Sequence, residues 1–216
     1  MRRPLFAAGN ILLLFLLLFL SGSVFAHERI MVPRVWNKSH SRLIAAEWRK
    51  HLGKADYYYT SPTGVKVGVY TAYDDKNLVI GLHVTDHFLD FNDDYSLDFA
   101  GSDHLRLVLH PINTEQQKEE LFLYILPTSK IREPLFKISG LSWHRRAFRV
   151  DSVIDIDEES YFVMIAISLK ELGLLPLPGE RMVFNCLLHN ARQSGDLEKA
   201  WIIGEQAVDG MILVFQ

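Results

Sequence analysis

The sequence predicts an all-β fold, an antiparallel β-sandwich of the jelly-roll or immunoglobulin-like kind with one or two short helices. Three observations carry this expectation: apolar residues recur with period two in eight segments, turn-forming residues separate those segments, and helical periodicity is confined to two short stretches. The first alternating segment runs from Val65 to Tyr73. The next places Leu78, Ile80, Leu82 and Val84 on one face and Val79, Gly81, His83 and Thr85 on the other. Between them, Asp74-Asp75-Lys76-Asn77 supplies turn chemistry, so the two segments read as a hairpin. Further strands are expected at His104 to His110, Glu120 to Leu126, Ala147 to Ile154, Tyr161 to Ile167, Met182 to Leu188 and Met211 to Phe215. One helix is expected from Arg42 to His51, and a second where Ser168 and Glu171 form a capping box over Leu169 and Leu172, with Pro176, Pro178 and Gly179 ending it.

Of 216 residues, 49% are hydrophobic and 23% charged, a globular composition that excludes a disordered, collagen-like or disulfide-dense chain. With 23 basic and 26 acidic side chains the net charge is −3, so no global positive field exists to hold nucleic acid. Cys186 stands alone, which rules out an intrachain disulfide, and its thiol is expected to be buried. Residues 1–26 read as a signal peptide: Arg2 and Arg3 precede an apolar run from Ile11 to Leu20, and small residues lead to Ala26. That ten-residue run falls short of the roughly 20 needed to span a bilayer. The exported chain, 27–216, is therefore expected to be a single secreted or periplasmic domain with no membrane span, acting as a monomer. It carries 21 basic against 26 acidic groups, because the signal removes two arginines and no acid.

Phosphate-binding loops, Gly-x-Ser-x-Gly elbows and His-Glu-x-x-His helices do not occur, which argues against the common phosphoryl, acyl and zinc-protease chemistries. Asp90, Asn92 and Asp94 mimic the start of a calcium loop, but Tyr95 and Gly101 stand where an EF-hand requires Gly and Glu. A different calcium site drawing on Asp90, Asp93, Asp94 or Asp98 is one reading of this stretch; a solvated acidic loop is the other. By strand parity His83, His104 and His110 point away from the faces carrying Leu82, Leu105 and Leu107, either converging on a metal or scattered at the surface. Cleavage after Ala26 would leave His27 as a terminal copper chelator, but the segment after it lacks any other feature of copper-dependent polysaccharide oxygenases. Aromatic residues are more informative, because a ring on a loop offers a flat apolar face to the CH-rich side of a sugar. Trp48 fits a helical packing pattern with Leu43 and Leu52. Trp201 instead follows the polar run Asn190 to Asp196, read as a loop between the last two strands, and Phe99 sits among polar residues between Asp98 and Gly101.

Ala72 to Asp86 (A-Y-D-D-K-N-L-V-I-G-L-H-V-T-D) followed by Gly101 to Leu109 (G-S-D-H-L-R-L-V-L) resembles the family nine carbohydrate-binding modules. The likeness continues in Tyr161 to Leu172, in Pro178 to Asn185 (P-G-E-R-M-V-F-N), and in Trp201 ahead of Gly210 to Phe215, spanning roughly Leu43 to Phe215 in order. The resemblance implies a sandwich that holds the terminal sugars of cellulose, xylan or related β-glycans between two aromatic rings, with structural calcium nearby. Carried over by position, Trp201 takes one clamp and Phe99 the other, Asn190 falls near a polar contact, and Asp103 matches the acid opening the strand after the first clamp. Phe99 replaces the usual tryptophan, Arg106 an acidic side chain, and Ser168 a proline. Arg106 thus reverses the charge at its position.

The expected function is that of a secreted, non-catalytic carbohydrate-binding protein of β-glycan breakdown. Trp201 and Phe99 would stack on the sugar while Asp103, Asn190 and Arg192 orient it. Two alternatives stand beside it. One is a haem-binding electron-transfer sandwich using Met164, Met182 or histidines; the other is an envelope scaffold that has lost sugar binding. No acid and base pair with a supporting group is identifiable, so no enzyme is expected.

Overall fold

A computed structural model describes residues 29–35, 52–91, 93, 101–112, 120–130, 134–139, 150–192, 195–204 and 210–216. Within them the alternating segments are strands: β1 (Arg29–Val32), β2 (Tyr57–Thr60), β3 (Lys66–Tyr73), β4 (Asn77–Thr85), β5 (His104–Pro111), β6 (Leu121–Leu126), β7 (Leu135–Ser139), β8 (Val150–Asp157), β9 (Ser160–Ser168), β10 (Arg181–Ala191), β11 (Leu197–Trp201) and β12 (Met211–Phe215). Seven form one sheet in the order β1-β12-β10-β5-β6-β7, with β11 on the same edge of β10 as β12 but farther along; five form the other, β2-β3-β4-β9-β8. Only β1 with β12 pairs in parallel among these ladders. The protein is an all-β sandwich, as the alternation predicts.

Period two dictates which side chains meet. Leu78, Ile80, Leu82 and Val84 of β4 share one buried cluster with Leu105, Leu107 and Leu109 of β5 and with Phe184, Cys186 and Leu188 of β10. Each such aliphatic side chain contributes about 1.5–3 kcal/mol on burial. The opposite face of β4 is not left to solvent: Val79 joins Ala55, Tyr70, Ala72, Phe162 and Met164 in a second cluster covered by Val35 and Leu52. A stacked pair joins the sheets, with the rings of Tyr73 (β3) and Phe215 (β12) 4.5 Å apart and the Tyr73 hydroxyl donating to the Gln216 carbonyl. The predicted hairpin turn is held by buried Asp74, whose Oδ1 accepts from the Lys76 and Asn77 amides, each at 2.7 Å.

Four short strands lack the expected alternation signal. β2 is Tyr-Tyr-Tyr-Thr, β11 carries Glu198 and Lys199, and β1 and β7 are only four and five residues long. The capping-box segment closes a single turn rather than a helix. Leu172 N donates to Ser168 O (3.1 Å), Leu174 N to Leu169 O (2.9 Å), and Gly173 leaves through φ 71°. The expected helix at Arg42 to His51, the signal residues and the first three residues of the strand expected from Ala147 lie outside the described residues.

A β-carbon at Gly210 would lie 2.5 Å from the Phe184 carbonyl oxygen, whereas one at Gly101 would meet nothing within 4 Å among the described residues. Backbone cannot yield as a side-chain tip can, so Gly210→Ala should cost roughly 1–3 kcal/mol, each kcal/mol lowering Tm by about 2–4 °C. Gly101→Ala should leave the thermal midpoint in place. Parallel melts of the two variants check this.

Candidate functional site

β10 and β11 form a hairpin, closed by hydrogen bonds between Arg192 and the Gly195-Asp196 pair. Arg192 N donates to Asp196 O (2.9 Å), Gly195 N donates to Arg192 O (2.8 Å), and Gly195 supplies the required φ of 84°. The pairing runs from Ala191 opposite Leu197 at the turn to Leu187 opposite Trp201 at the far end. Asn190 is therefore a buried strand residue rather than part of a loop, and Trp201 ends a strand rather than following an open loop. Polar composition disguised the strand, because Glu198 and Lys199 occupy positions that only the β10 ladder reveals as paired. Beyond Trp201 the chain folds back onto β10. Ile202 N donates to Cys186 O (2.9 Å), and the buried Asn185 side chain donates through Nδ2 to Ile203 O (3.1 Å). These bonds fix the backbone that presents the half-buried Trp201 ring.

Parity divides the expected site residues. Trp201 lies opposite Leu187 and faces outward from the sandwich, whereas Asn190 lies opposite Glu198 on the inward side with Leu188. Four residues of strand, about 13 Å, separate the two ends of the hairpin. Asp103 sits at the turn end and is buried. Its Oδ1 accepts from Ala191 N (2.7 Å) and its Oδ2 from Asp90 N (3.0 Å), while its own amide donates to Asp90 O (2.8 Å). Arg192 pairs with Glu198 (3.4 Å), whose carboxylate also accepts from the Thr63 hydroxyl of the β2–β3 loop. The structure thus gathers Asp103, Asn190 and Arg192 at the turn and sets Trp201 apart from them. Phe99 lies outside the described residues.

The outward face of the seven-stranded sheet carries what sequence reasoning did not assemble. Continuous register across five strands puts Lys137 (β7), Tyr124 (β6), Arg106 (β5), Leu187 (β10) and Trp201 (β11) in one row. The Arg106 guanidinium lies over Phe122, 4.1 Å from the ring centroid, with Tyr124 at 5.5 Å. In the adjacent row His104 stacks on His189 at 3.9 Å, next to Lys199. Burial, and for His189 the neighbouring His104, Lys199 and Arg106, hold both imidazoles below their usual range, His189 at about 3. The three expected outward histidines do not converge: His104 and His110 share this sheet, while His83 lies on the other. Strand parity pointed to His104. Its partner His189 needed the knowledge that β5 and β10 are neighbours.

The calcium residues divide likewise. Asp90 is exposed. Asp93 accepts from both the amide (2.8 Å) and the hydroxyl of Ser129, which hold its carboxyl below the usual range. Asp94 lies outside the described residues. Among the described residues no group of three or more His, Cys, Asp or Glu could hold a metal ion. For the haem alternative, Met182 is enclosed in the core and Met164 in the smaller outer cluster, which turns both thioethers to packing. Cys186 is buried, and burial pushes its thiol well up. No helix among the described residues is long and apolar enough to cross a membrane.

No family model and no curated protein matches the sequence. Solved structures do resemble the fold. A family 9 carbohydrate-binding module from Caldicellulosiruptor kristjanssonii in complex with cellotriose superposes with a TM-score of 0.57 at 13% identity, over 88% of this chain and 94% of that one. The module from the same organism in complex with glucose gives 0.58 at 14% identity, over 88% and 96%. A protein from Bacteroides uniformis ATCC 8492 to which carbohydrate binding is ascribed gives 0.61 at 10% identity, over 88% and 100%. The architecture is that of the family 9 carbohydrate-binding modules.

Burial, aided by Asp86 and Asp90, raises the Asp103 carboxyl to about 7, against the two amides that pull it down. The folded protein thus keeps a proton that the unfolded chain releases near pH 4, so this group's contribution to stability falls as pH rises from about 4 to about 7. His189 acts oppositely: the unfolded chain takes up a proton near pH 6.5 that the folded ring refuses until about pH 3, so stability is lost as pH falls through that window. Asp103→Asn should be less stable than wild type near pH 4, by about 1–3 kcal/mol because one backbone amide loses its acceptor, and the deficit should shrink as pH rises. Its urea midpoint should also climb more steeply than the wild type's between pH 4 and 6.5. An unchanged slope would assign the acid's proton elsewhere.

Proposed function

We propose that this protein is an exported, non-catalytic carbohydrate-binding protein that recognises β-glycan sugars of the cellulose or xylan type by aromatic stacking. The observation that carries the reading is Trp201, a half-buried indole held outward at the end of a strand, on a fold shared with modules one of which is in complex with cellotriose. Burying one face of a pyranose against an indole removes apolar surface from water, and polar neighbours then set orientation. Trp201 is the stacking platform in this reading, and Phe99 remains its proposed counterpart. Asp103 supports the binding rim rather than touching sugar, because backbone amides already occupy both its oxygens. Asn190 and Arg192 likewise serve by shaping the hairpin turn, Arg192 through Glu198. The same enclosure of Asp103 deprives it of the access a general acid needs, which supports a non-catalytic role. Export rests on Arg2, Arg3 and the apolar run that follows them.

Isothermal titration with cello- and xylo-oligosaccharides tests this. Binding should be of modest affinity, and Trp201→Ala should weaken it at least about tenfold, or roughly 1.4 kcal/mol. A thermal melt of the variant should show the native transition. Equal heats for wild type and variant would remove Trp201 from the site. A blank glycan array with capture of envelope proteins would favour the scaffold alternative.

A further inference from the structure

The outward face of the seven-stranded sheet is charge-segregated. Its strand residues among those described include Arg29, Arg106, Lys137, Arg181 and Lys199 and no acid, on a protein whose net charge is −3. Two of these cations, Arg106 and Lys137, lie in the row that holds Trp201, and a third, Lys199, in the row beside it. Arg106 stands two strands from Trp201 with only Leu187 between, about 10 Å across the sheet, and Lys137 two strands beyond Arg106 on the far side of Tyr124. Phe122 supports one face of the guanidinium, so the plane is held in place before any ligand arrives, and the buried Arg106 Nε has no hydrogen-bond partner among the described residues. A planar cation fixed on an aromatic face presents paired N–H donors in the geometry a carboxylate accepts. From the indole to Tyr124 the row spans about three strand spacings, or ~14 Å, the reach of a short oligosaccharide rather than of one ring.

We propose that this face binds an acidic oligosaccharide, a β-glycan segment bearing uronate carboxylates, with one sugar ring on Trp201 and a carboxylate on Arg106 flanked by Lys137 and Lys199. The proposal rests on the carbohydrate reading above and adds the substrate class. Charge complementarity selects a uronate over a neutral sugar, because a neutral chain would leave the Arg106 N–H groups half-desolvated without an acceptor.

The test is isothermal titration of the purified protein with neutral xylo-oligosaccharides and with the same backbone carrying glucuronate, at low and at about 0.3 M salt. The acidic ligand should bind at least about tenfold more tightly at low salt, and the advantage should shrink as the Debye length shortens. Arg106→Gln should remove the advantage of the acidic ligand over the neutral one; for Arg106→Lys, which keeps the charge without the fork, that advantage should fall between. Trp201→Ala should weaken both. Equal affinity of wild type for the two ligands would overturn the uronate assignment while sparing the carbohydrate reading. An acidic preference that survives Arg106→Gln would overturn the role of Arg106. Failure of every sugar to bind would overturn both.

Discussion

The hydrogen-bond ladder of β10 is the constraint on which the rest of the molecule depends. Its eleven residues pair with β5 along one edge over eight positions, and on the other edge with β12 over four and β11 over five. A strand so placed has almost no backbone group left to satisfy elsewhere, so its register is tightly determined. A slip of one residue would turn Phe184, Cys186 and Leu188 out of the core and bring Leu187 and His189 in. Every feature of the candidate site inherits its position from that register: Trp201 through Leu187, Arg106 through Leu187 from the other side, and His104 through His189.

Buried polar groups then lock the ends of the ladder. Asn185, fully enclosed, donates to Ile203 O and accepts from the Cys186 amide, so the segment after Trp201 cannot lift from the sheet without leaving an amide unpaired. At the other end Asp103 joins Ala191 to Asp90, tying the hairpin turn to the loop before β5. Such groups stabilise little while satisfied and cost much when broken, so they define one geometry more than they add to its depth. The outward face of the seven-stranded sheet is correspondingly rigid, built on strands and not on loops, which would suit the proposed recognition by stacking and fixed donors.

Much of the architecture was legible in the residues. The alternation of β4, the Asp74 turn and the strands at β5, β9 and β10 follow from the two-residue repeat of an extended chain, and the structure reproduces them. What escaped were the short strands without a pattern, and for the site β11 above all, whose Leu-Glu-Lys-Ala-Trp reads as loop because its partner, not its own composition, makes it a strand. Placing Asn190 and Trp201 on one loop followed from that omission, and pairing sets them on opposite faces. The single turn at Ser168–Gly173 shows the same limit in reverse, since a capping box nucleates a helix only where the following residues continue it, and here Gly173 and the prolines do not.

By itself the sequence determined the two-faced character of the long strands, the sandwich class and the buried lone thiol. These are local consequences of backbone geometry and of the aversion of apolar side chains to water. Only the tertiary structure decided that β5 lies between β6 and β10, and hence that Arg106 shares a row with Trp201 while Asn190 turns inward. Adjacency joins residues distant along the chain, and no repeat within either strand encodes which edge the other will occupy. Side-chain direction is written in each strand; strand neighbourhood is settled only when the whole core closes.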